Sequence, residues 1–215
     1  MIVDRVTVGP FEENCYLVAD EASGAAVLVD PGDEGDRIVE MVERRGLTPS
    51  AVWLTHAHLD HIGAVSAVRR AWPEIPVSLH PADRVVYARG TESAAGYGLP
   101  WEQPEPPDVE FAEGDVLTLG ATRFDVWHVP GHAPGHVVFI GGGVMLGGDC
   151  IFAGSVGRTD FPHCDPVAFQ ASLGRLLTLP DEIVIHPGHG PRTTVGRERA
   201  TNPFLTGAAR PVRAR

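Results

Sequence analysis

The feature that most constrains this chain is the heptad Thr-His-Ala-His-Leu-Asp-His at residues 55–61. It places His56, His58, Asp60 and His61 within six consecutive positions. Burying imidazole and carboxylate groups without partners costs free energy, so such a cluster favours a bound partner. A divalent metal ion can satisfy all four groups, because zinc, iron and manganese accept imidazole nitrogen and carboxylate oxygen. The heptad therefore predicts a metal site.

The surroundings of the heptad indicate how its side chains divide between ions. The apolar run 51–54 predicts a short buried strand that ends where the heptad begins, and a helix is predicted over about 62–71, before Pro73. In an extended segment His56 and His58 point to the same side, so both can reach one ion. Asp60 and His61 lie beyond a bend and are predicted to reach a second ion.

Three later residues, each set among glycines, are candidates to complete the site. His132 lies in Pro-Gly-His-Ala-Pro-Gly-His, Asp149 in Leu-Gly-Gly-Asp-Cys and His189 in His-Pro-Gly-His-Gly-Pro. Each follows an apolar run that is typical of a strand, as the heptad does. Glycine permits backbone conformations that other residues avoid, so these turns can approach a crowded centre. We therefore predict that the strand ends converge at one edge of the fold.

The ligand count closes for two ions. A pair of tetrahedral zinc ions needs about eight ligand contacts. The predicted ligands are His56, His58 and His132 for the first ion, and Asp60, His61 and His189 for the second. Asp149 is predicted to bridge both ions, and a shared water or hydroxide completes the count. An exchangeable solvent ligand is typical of a catalytic site, in which Asp60 is also the predicted proton acceptor.

The remaining histidines and cysteines carry weaker signals. Three histidines are interpreted as packed or surface residues, namely His80, His128 and His163. Two others lie close to predicted ligands and either orient them or serve the structure alone, namely His136 and His186. The three cysteines form no Cys-x-x-Cys pair and are interpreted as small buried residues, namely Cys15, Cys150 and Cys164.

Composition excludes several classes of function. The 215 residues, 43% of them hydrophobic, are enough for one compact domain with its own core. A formal net charge of −11 argues against binding to nucleic acid or to an acidic membrane surface. The N-terminal residues lack the pattern of a signal peptide, and no apolar run is long enough to span a bilayer. We therefore expect a cytoplasmic protein that acts on a small molecule, with a homo-oligomer left open.

The order of predicted elements indicates the architecture. Strands dominate the first part of the chain and are followed by helix, and the second part repeats this order. This order favours two sheets packed face to face with helices outside, rather than one doubly wound parallel sheet. Residues 91–108 stand apart because they hold four prolines and two isolated aromatic residues, Tyr97 and Trp101. We predict a surface loop insertion there, with a lid or partner-binding segment as the alternative.

At this point the motifs resemble those of a known family. The heptad is similar to the HxHxDH signature of the metallo-β-lactamase superfamily, and the later glycine-set motifs resemble its other ligand motifs in the same order. The likeness runs from about residue 14 to residue 204. It implies an α/β fold of the αββα sandwich type, a single domain over residues 1–215, and two metal ions at the sheet edges. The ligand sets that it implies are His56, His58, His132 and Asp149, and Asp60, His61, Asp149 and His189.

Within that superfamily the chain looks most like glyoxalase II and its shorter relatives. The stretch 152–161, Phe-Ala-Gly-Ser-Val-Gly-Arg-Thr-Asp-Phe, follows the bridging aspartate as it does in those proteins. The resemblance implies hydrolysis of a 2-hydroxyacyl thioester of a low-molecular-weight thiol by a hydroxide between two divalent ions. Zinc is expected, with iron or manganese open. Arg158 is predicted to contact the substrate, with an ion pair to Asp160 as the alternative.

One departure from full-length glyoxalase II affects the expected substrate. Glyoxalase II has a C-terminal helical domain that contacts glutathione, and residues 190–215 are too few to form it. They include the basic residues Arg197, Arg199, Arg210, Arg213 and Arg215. We therefore expect no such domain in this chain, and the thiol half of the substrate is left open.

Other activities on the same fold are alternatives. A persulfide dioxygenase would use one iron held by His56, His132 and Asp149, and the Gly-Arg-Thr-Asp-Phe stretch resembles that class as well. Such dioxygenases tend to have cysteine where this chain has His136, which favours the hydrolase. A lactonase or β-lactamase is a further hydrolytic alternative, and an inactive binding protein is disfavoured because all seven predicted ligands are present.

Overall fold

Two six-stranded sheets form the centre of the fold, which a computed structural model describes for residues 1–209. The first sheet has the order β1-β2-β3-β4-β5-β6. Its strands are β1 (Ile2–Val8), β2 (Glu13–Ala19), β3 (Ala26–Val29), β4 (Val52–Trp53), β5 (Val77–Leu79) and β6 (Val109–Glu110). Three of the C-terminal arginines noted in the sequence lie outside the described residues, namely Arg210, Arg213 and Arg215.

The second sheet has the order β14-β13-β10-β9-β8-β7, and a separate hairpin is formed by β11 and β12. The first of these strands along the chain are β7 (Val116–Leu119), β8 (Thr122–His128), β9 (Val137–Gly141) and β10 (Val144–Gly148). The others are β11 (Ile151–Phe152), β12 (Ser155–Val156), β13 (Val184–Pro187) and β14 (Thr193–Thr194).

Seven α-helices and one 3-10 helix are described within residues 1–209. The α-helices are α1 (Gly35–Arg44), α2 (Leu59–Ile62), α3 (Val65–Ala71), α4 (Arg84–Tyr87), α5 (Gly90–Tyr97), α6 (Pro166–Leu176) and α7 (Val195–Thr201). The 3-10 helix spans Pro81–Asp83. None of these helices combines the length and the apolar composition that a bilayer span requires.

Three apolar clusters show that the layers are stacked as helix, sheet, sheet and helix. The middle cluster joins the two sheets and includes Trp53 of β4, Phe124 of β8 and Phe139 of β9. On one outer face α1 and α3 pack on the first sheet, and on the other α6 packs on the second. Because β2 is covered on both sides, all seven of its residues are buried. The predicted αββα sandwich is confirmed.

Strand directions explain why distant loops meet. In the first sheet β3, β4 and β5 run parallel, and in the second β10 runs parallel to β13. Strand β8 also runs parallel to β10, because both are antiparallel to β9 between them. The carboxyl ends of β8, β10 and β13 therefore lie at one edge of the second sheet. The end of β4 meets them there, because the N–H of Val137 in β9 donates a hydrogen bond to the carbonyl oxygen of Thr55 at 2.8 Å. The predicted metal ligands follow these ends in the chain.

The predicted loop over residues 91–108 is wrong in its first half. Helix α5 spans Gly90–Tyr97 and ends at Gly98, which has a φ of 67°. The four prolines all lie beyond this helix, from position 100 onward, so they do not oppose it. Its own residues include alanines and a glutamate, which favour helix. Only residues 98–108 are irregular, and Trp101 anchors them because its ring covers Gly63 and Gly90.

The helix predicted over about 62–71 is present but is divided. A short helix, α2, begins at Leu59 inside the heptad, and α3 begins at Val65 and ends at Ala71. The early start places Asp60 and His61 on a helical turn, while His58 before it is extended. The predicted bend between the two halves of the heptad is therefore the start of α2.

Candidate metal centre

The predicted ligands of the first ion form one compact group, which we term the first trio (His56, His58 and His132). Their ligand atoms all lie within 4.8 Å of one another. Nε2 of His56 is 3.0 Å from Nδ1 of His58. His132, from the loop after β8, completes the group. The extended backbone of residues 56–58 thus directs two imidazoles toward one point, as the sequence predicts.

The predicted ligands of the second ion form a neighbouring group, the second trio (Asp60, His61 and His189), again within 4.8 Å. Nε2 of His189 lies 3.3 Å from Oδ2 of Asp60, and Nε2 of His61 lies 4.0 Å from the same oxygen. His189 reaches the centre from the loop after β13. The structure thus brings together residues that are far apart along the chain.

Asp149 lies between the two trios. Its Oδ1 is 3.4 Å from Nε2 of His61, and its Oδ2 is 3.5 Å from Nε2 of both His132 and His189. Asp149 therefore approaches members of both trios from the side of the cavity, which is the position that the sequence predicts for a bridge.

Buried atoms without partners show that the centre suits cations. Nε2 of His61, Nε2 of His132 and Oδ1 of Asp149 are buried and accept or donate no hydrogen bond within residues 1–209. Leaving such groups unpaired is costly, and in this protein they face one another. Imidazole nitrogens and carboxylate oxygens together suit divalent zinc, iron or manganese. The donor set thus fits a pair of such ions.

The nitrogens that face away from the centre are held by other groups. Nδ1 of His132 is 2.8 Å from the carbonyl oxygen of Arg158, and Nδ1 of His189 is 3.0 Å from that of Phe11. A carbonyl oxygen accepts a hydrogen bond only from a protonated nitrogen. Both rings therefore carry a proton on Nδ1 and direct Nε2 toward the centre, which is the orientation that a metal ligand needs.

Asp30, at the end of β3, orients the heptad from behind. Its carboxylate accepts hydrogen bonds from the backbone N–H and the hydroxyl of Thr55, both at 2.7 Å. Its Oδ2 is also 3.0 Å from Nδ1 of His61. Asp30 groups with His56 and His61 by distance, but these bonds already occupy its oxygens. We therefore interpret it as a positioning residue rather than a ligand.

The two trios differ in their affinity for protons. Burial lowers the pKa of His56 and His58 well below the ordinary value, and neighbouring imidazoles lower it further. Burial also opposes protonation of His189, but Asp149 and Asp60 outweigh it and raise its pKa to about 10. In the metal-free protein near neutral pH, the first trio is neutral, while protons take the place of a cation in the second.

A buried carboxylate that the sequence analysis missed ties two ligand loops together. Asp83 is fully buried at the end of the 3-10 helix. Its Oδ2 accepts a hydrogen bond from the N–H of Ala57 at 2.8 Å, and its Oδ1 accepts one from the N–H of Gly135 at 2.5 Å. Ala57 lies inside the heptad, and Gly135 lies in the loop that carries His132. Asp83 therefore sets the distance between parts of the first trio.

His136 lies behind the centre, as one of its two predicted roles requires. Its Nε2 accepts a hydrogen bond from the N–H of Asp149 at 3.0 Å, and its ring stacks on His56. The prediction of buried cysteines holds for Cys15 and Cys150 but is wrong for Cys164, which is partly exposed. The thiol of Cys164 donates a hydrogen bond to the carbonyl oxygen of His132 at 3.0 Å.

Two glycines are needed because the backbone passes very close to the centre. A Cβ on Gly188 would lie 2.2 Å from Oδ1 of Asp149 and 2.8 Å from Cε1 of His61. Gly148 has a φ of 46°, and a Cβ there would lie 2.4 Å from Oγ1 of Thr55. Larger residues at either position would displace the side chains of the centre, so the glycines noted in the sequence have a structural explanation.

A cavity of about 330 Å³ opens directly above the centre. Its floor contains His58, Asp60, His132, Asp149 and His189. Its walls are mainly apolar and include Phe11, Val86, Tyr97, Phe152, Val156 and Phe161. Tyr97 of helix α5 packs edge-on against Phe11, with ring centroids 5.1 Å apart. The segment predicted as a loop insertion thus supplies one wall of this cavity.

Arg158 lies in the cavity wall and also forms the ion pair that was its alternative role. Its Nε is 2.6 Å from Oδ1 of Asp160, and a second nitrogen is 2.8 Å from Oδ2. The guanidinium lies 4.1 Å above the ring of Phe161. Asp160 and the stacked ring hold the guanidinium in place, while about half of the Arg158 side chain is exposed. The two predicted roles are therefore compatible.

Sequence comparison identifies the class of protein that this fold and site define. The family model described as the metallo-beta-lactamase superfamily matches residues 8–189, and the chain therefore belongs to this superfamily. The predicted membership is confirmed. The chain carries the His and Asp clusters of the dinuclear metal-binding site of these metallo-hydrolases.

Three relatives are similar to this chain over nearly its whole length. Hydroxyacylglutathione hydrolase GloC of Haemophilus influenzae is 37% identical over 95% of this chain and 98% of that protein. The crystal structure of TTHA1623 in a di-iron-bound form shares 47% identity and superposes with a TM-score of 0.88, covering 94% of this chain and 100% of that one. The BLEG-1 B3 metallo-beta-lactamase is 38% identical with a TM-score of 0.89, covering 96% and 100%.

Proposed function

We propose that the protein is a glyoxalase II-like thioesterase, which hydrolyses the thioester of a 2-hydroxyacyl group and a low-molecular-weight thiol. The observation that carries the proposal is the pair of ligand trios, joined by Asp149, at the floor of a cavity large enough for a small substrate. Similarity to the hydroxyacylglutathione hydrolase GloC over nearly the whole chain supports the choice of thioester.

Two divalent ions bound at the trios would supply a water molecule of lowered pKa and a Lewis acid for the carbonyl oxygen. The side chains of the centre supply the ligands, and the apolar walls limit the access of bulk water. Asp60 is partly exposed at the cavity floor, and this position supports a role as proton acceptor beside its role as a ligand. The carboxylates of Asp60 and Asp149 also offset part of the charge of the ions, which keeps them bound.

Residues 1–209 hold all three cysteines, and none of them is placed to act as the nucleophile in place of water. Cys150 follows the bridging aspartate but is fully buried, and burial raises the pKa of its thiol well above the ordinary value. Burial also raises the pKa of Cys164, whose thiol is bonded to a backbone carbonyl. A neutral thiol is a poor nucleophile. Hydrolysis by a metal-activated water is therefore the route that the site supports.

The cavity offers a substrate mainly apolar walls and one arginine that can pair with an anionic group. Apart from the ligand histidines and His163, Arg158 is the basic residue that lines the cavity. A single guanidinium suits one carboxylate, as in the arm of a thiol cofactor. This arrangement is compatible with glutathione and with a smaller acidic thiol.

The proposal is tested by elemental analysis of the purified protein together with hydrolysis assays. We expect two ions per chain and release of thiol from S-lactoylglutathione or from lactoyl esters of other small thiols. The elemental analysis also identifies the metal. One iron per chain, with oxygen uptake on glutathione persulfide and no hydrolysis of any thioester, would overturn the proposal in favour of a dioxygenase.

Replacing Arg158 by glutamine tests the predicted substrate contact. We expect R158Q to raise KM for a thioester that carries a carboxylate by about tenfold, the value of one charge-assisted hydrogen bond, and to leave kcat nearly unchanged. Arg175 offers a matched control, because it also pairs with an acid, Glu113, and lies over an aromatic ring, that of Trp127. An equal rise of KM in R158Q and R175Q would contradict the contact.

A further inference from the structure

His58 differs from the other histidines of the centre in what holds its outward nitrogen. The outward Nδ1 atoms of His132 and His189 face backbone carbonyl oxygens, and Nδ1 of His61 faces the buried carboxylate of Asp30. The outward Nε2 of His58 lies instead 2.7 Å from Nε2 of His163. His163 belongs to the loop after β12, 105 residues away in the chain, and is partly exposed at the cavity.

Aromatic packing fixes this pair of imidazoles. The rings of His58 and His163 have centroids 5.0 Å apart, and the ring of Phe161 contacts both, at 5.2 Å and 5.7 Å. Phe161 lies nearly parallel to His163, with an interplanar angle of 21°. The position of the His163 ring is therefore set by its neighbours rather than by solvent.

The chemistry of His58 determines the direction of the hydrogen bond. Nδ1 of His58 faces the first trio, so binding an ion there leaves Nε2 as the protonated nitrogen and hence a donor. His163 must then accept with an unprotonated Nε2 and carry its own proton on Nδ1. With an ion on Nδ1 of His58, the hydrogen bond therefore requires a neutral His163.

We propose that His163 is a positioning residue for the first metal ion, which it holds in place by accepting a hydrogen bond from His58. The inference rests on the metal centre of the proposed function but not on the thioester as substrate. Hydrogen-bond partners behind a ligand fix the orientation of its ring and raise its basicity, and their loss typically costs about 10–100-fold in metal affinity. Because His163 also lines the cavity, a bound substrate would contact the residue that supports the ligand.

Two substitutions at position 163 separate the hydrogen bond from the packing. H163F keeps an aromatic ring beside Phe161 but cannot accept a hydrogen bond, and H163Q offers an amide oxygen as an acceptor. H80F is the matched control, because His80 is also a partly buried imidazole with a stacked neighbour, His128, at 4.1 Å. It lies outside both trios.

The measurement is zinc binding by the whole protein in competition with a chelator, without any substrate. We expect H163F to lower the zinc affinity of one of the two sites by about 10–100-fold. The affinities of H163Q and H80F should stay within about threefold of those of the unmodified protein. Unchanged affinity for both ions in folded H163F would overturn the proposal, as would equal weakening in H163F and H163Q. Failure to hydrolyse any thioester would refute the proposed function and leave this result intact.

Discussion

Replacing Asp149 by alanine is expected to remove both metal ions and to abolish hydrolysis. Asp149 lies within 3.4–3.5 Å of ligand nitrogens from both trios, so its loss removes one ligand from each ion. It also removes negative charge that offsets the two cations. Metal ions contribute several kcal/mol to a hydrolytic transition state, so kcat should fall by about three orders of magnitude or more.

Elemental analysis after dialysis and a thioesterase assay measure the effect on D149A. Asp125 offers the control, because it is an aspartate on the exposed side of β8, and D125A should keep both ions and full activity. A complete metal complement in D149A would show that the bridge is assigned to the wrong residue. Loss of one ion with retention of the other would show that Asp149 binds a single site.

The close approach of the predicted ligands could be expected from the sequence, because the information for it is local. Each predicted ligand lies in a short motif beside glycine or within the heptad, and each motif follows an apolar strand. Strand ends converge wherever strands are parallel, so the meeting of the motifs needs only the fold class. The structure adds the distances, and it places Asp149 between the trios.

The positioning residues could not be predicted in the same way. Asp83 and His163 stand alone in their segments, and their partners lie 26 to 105 residues away. Nothing in His-Pro-Ala-Asp at residues 80–83 distinguishes a buried carboxylate from an ordinary helix cap. Such roles depend on how loops pack across the sandwich, which periodicity and spacing do not contain. Buried polar residues in a structure, by contrast, reveal them directly.

The error over residues 91–108 has a different physical cause. The composition of the whole segment favours a loop, but its four prolines are confined to the second half. The first half has the alanines and the glutamate of a helix, and α5 follows from them. Tyr97, which ends this helix, faces the cavity, and the composition of the segment does not indicate that position.

Replacing Asp83 by alanine is expected to destabilise the fold and to weaken binding of the first metal ion. The N–H groups of Ala57 and Gly135 would lose their acceptor, and each unsatisfied buried N–H costs about 1–3 kcal/mol. We therefore expect a loss of about 2–4 kcal/mol of unfolding free energy at pH 5 for metal-free protein in a chelator. The loops of the first trio would also separate, so zinc affinity should fall in D83A.

The stability deficit of D83A should depend on pH in a defined direction. Burial raises the pKa of Asp83 from 3.8 to about 6, although the N–H groups of Gly135 and Ala57 lower it. Between these values the folded protein retains a proton that the unfolded chain has released. The contribution of Asp83 to stability is therefore largest at low pH and is lost as pH rises through about 6. The deficit of D83A should be about 1 kcal/mol smaller at pH 7 than at pH 5.

Urea unfolding of the metal-free proteins at both pH values tests this expectation, with D165A as the control. The carboxylate of Asp165 also accepts two backbone hydrogen bonds, from Val167 and Ala168, but it caps α6 at the surface. Its loss should cost about 1 kcal/mol at either pH and leave zinc affinity unchanged. A deficit in D83A that grows from pH 5 to pH 7 would show that Asp83 stabilises the fold as an ion. Unchanged zinc affinity would show that it does not hold the ligand loops together.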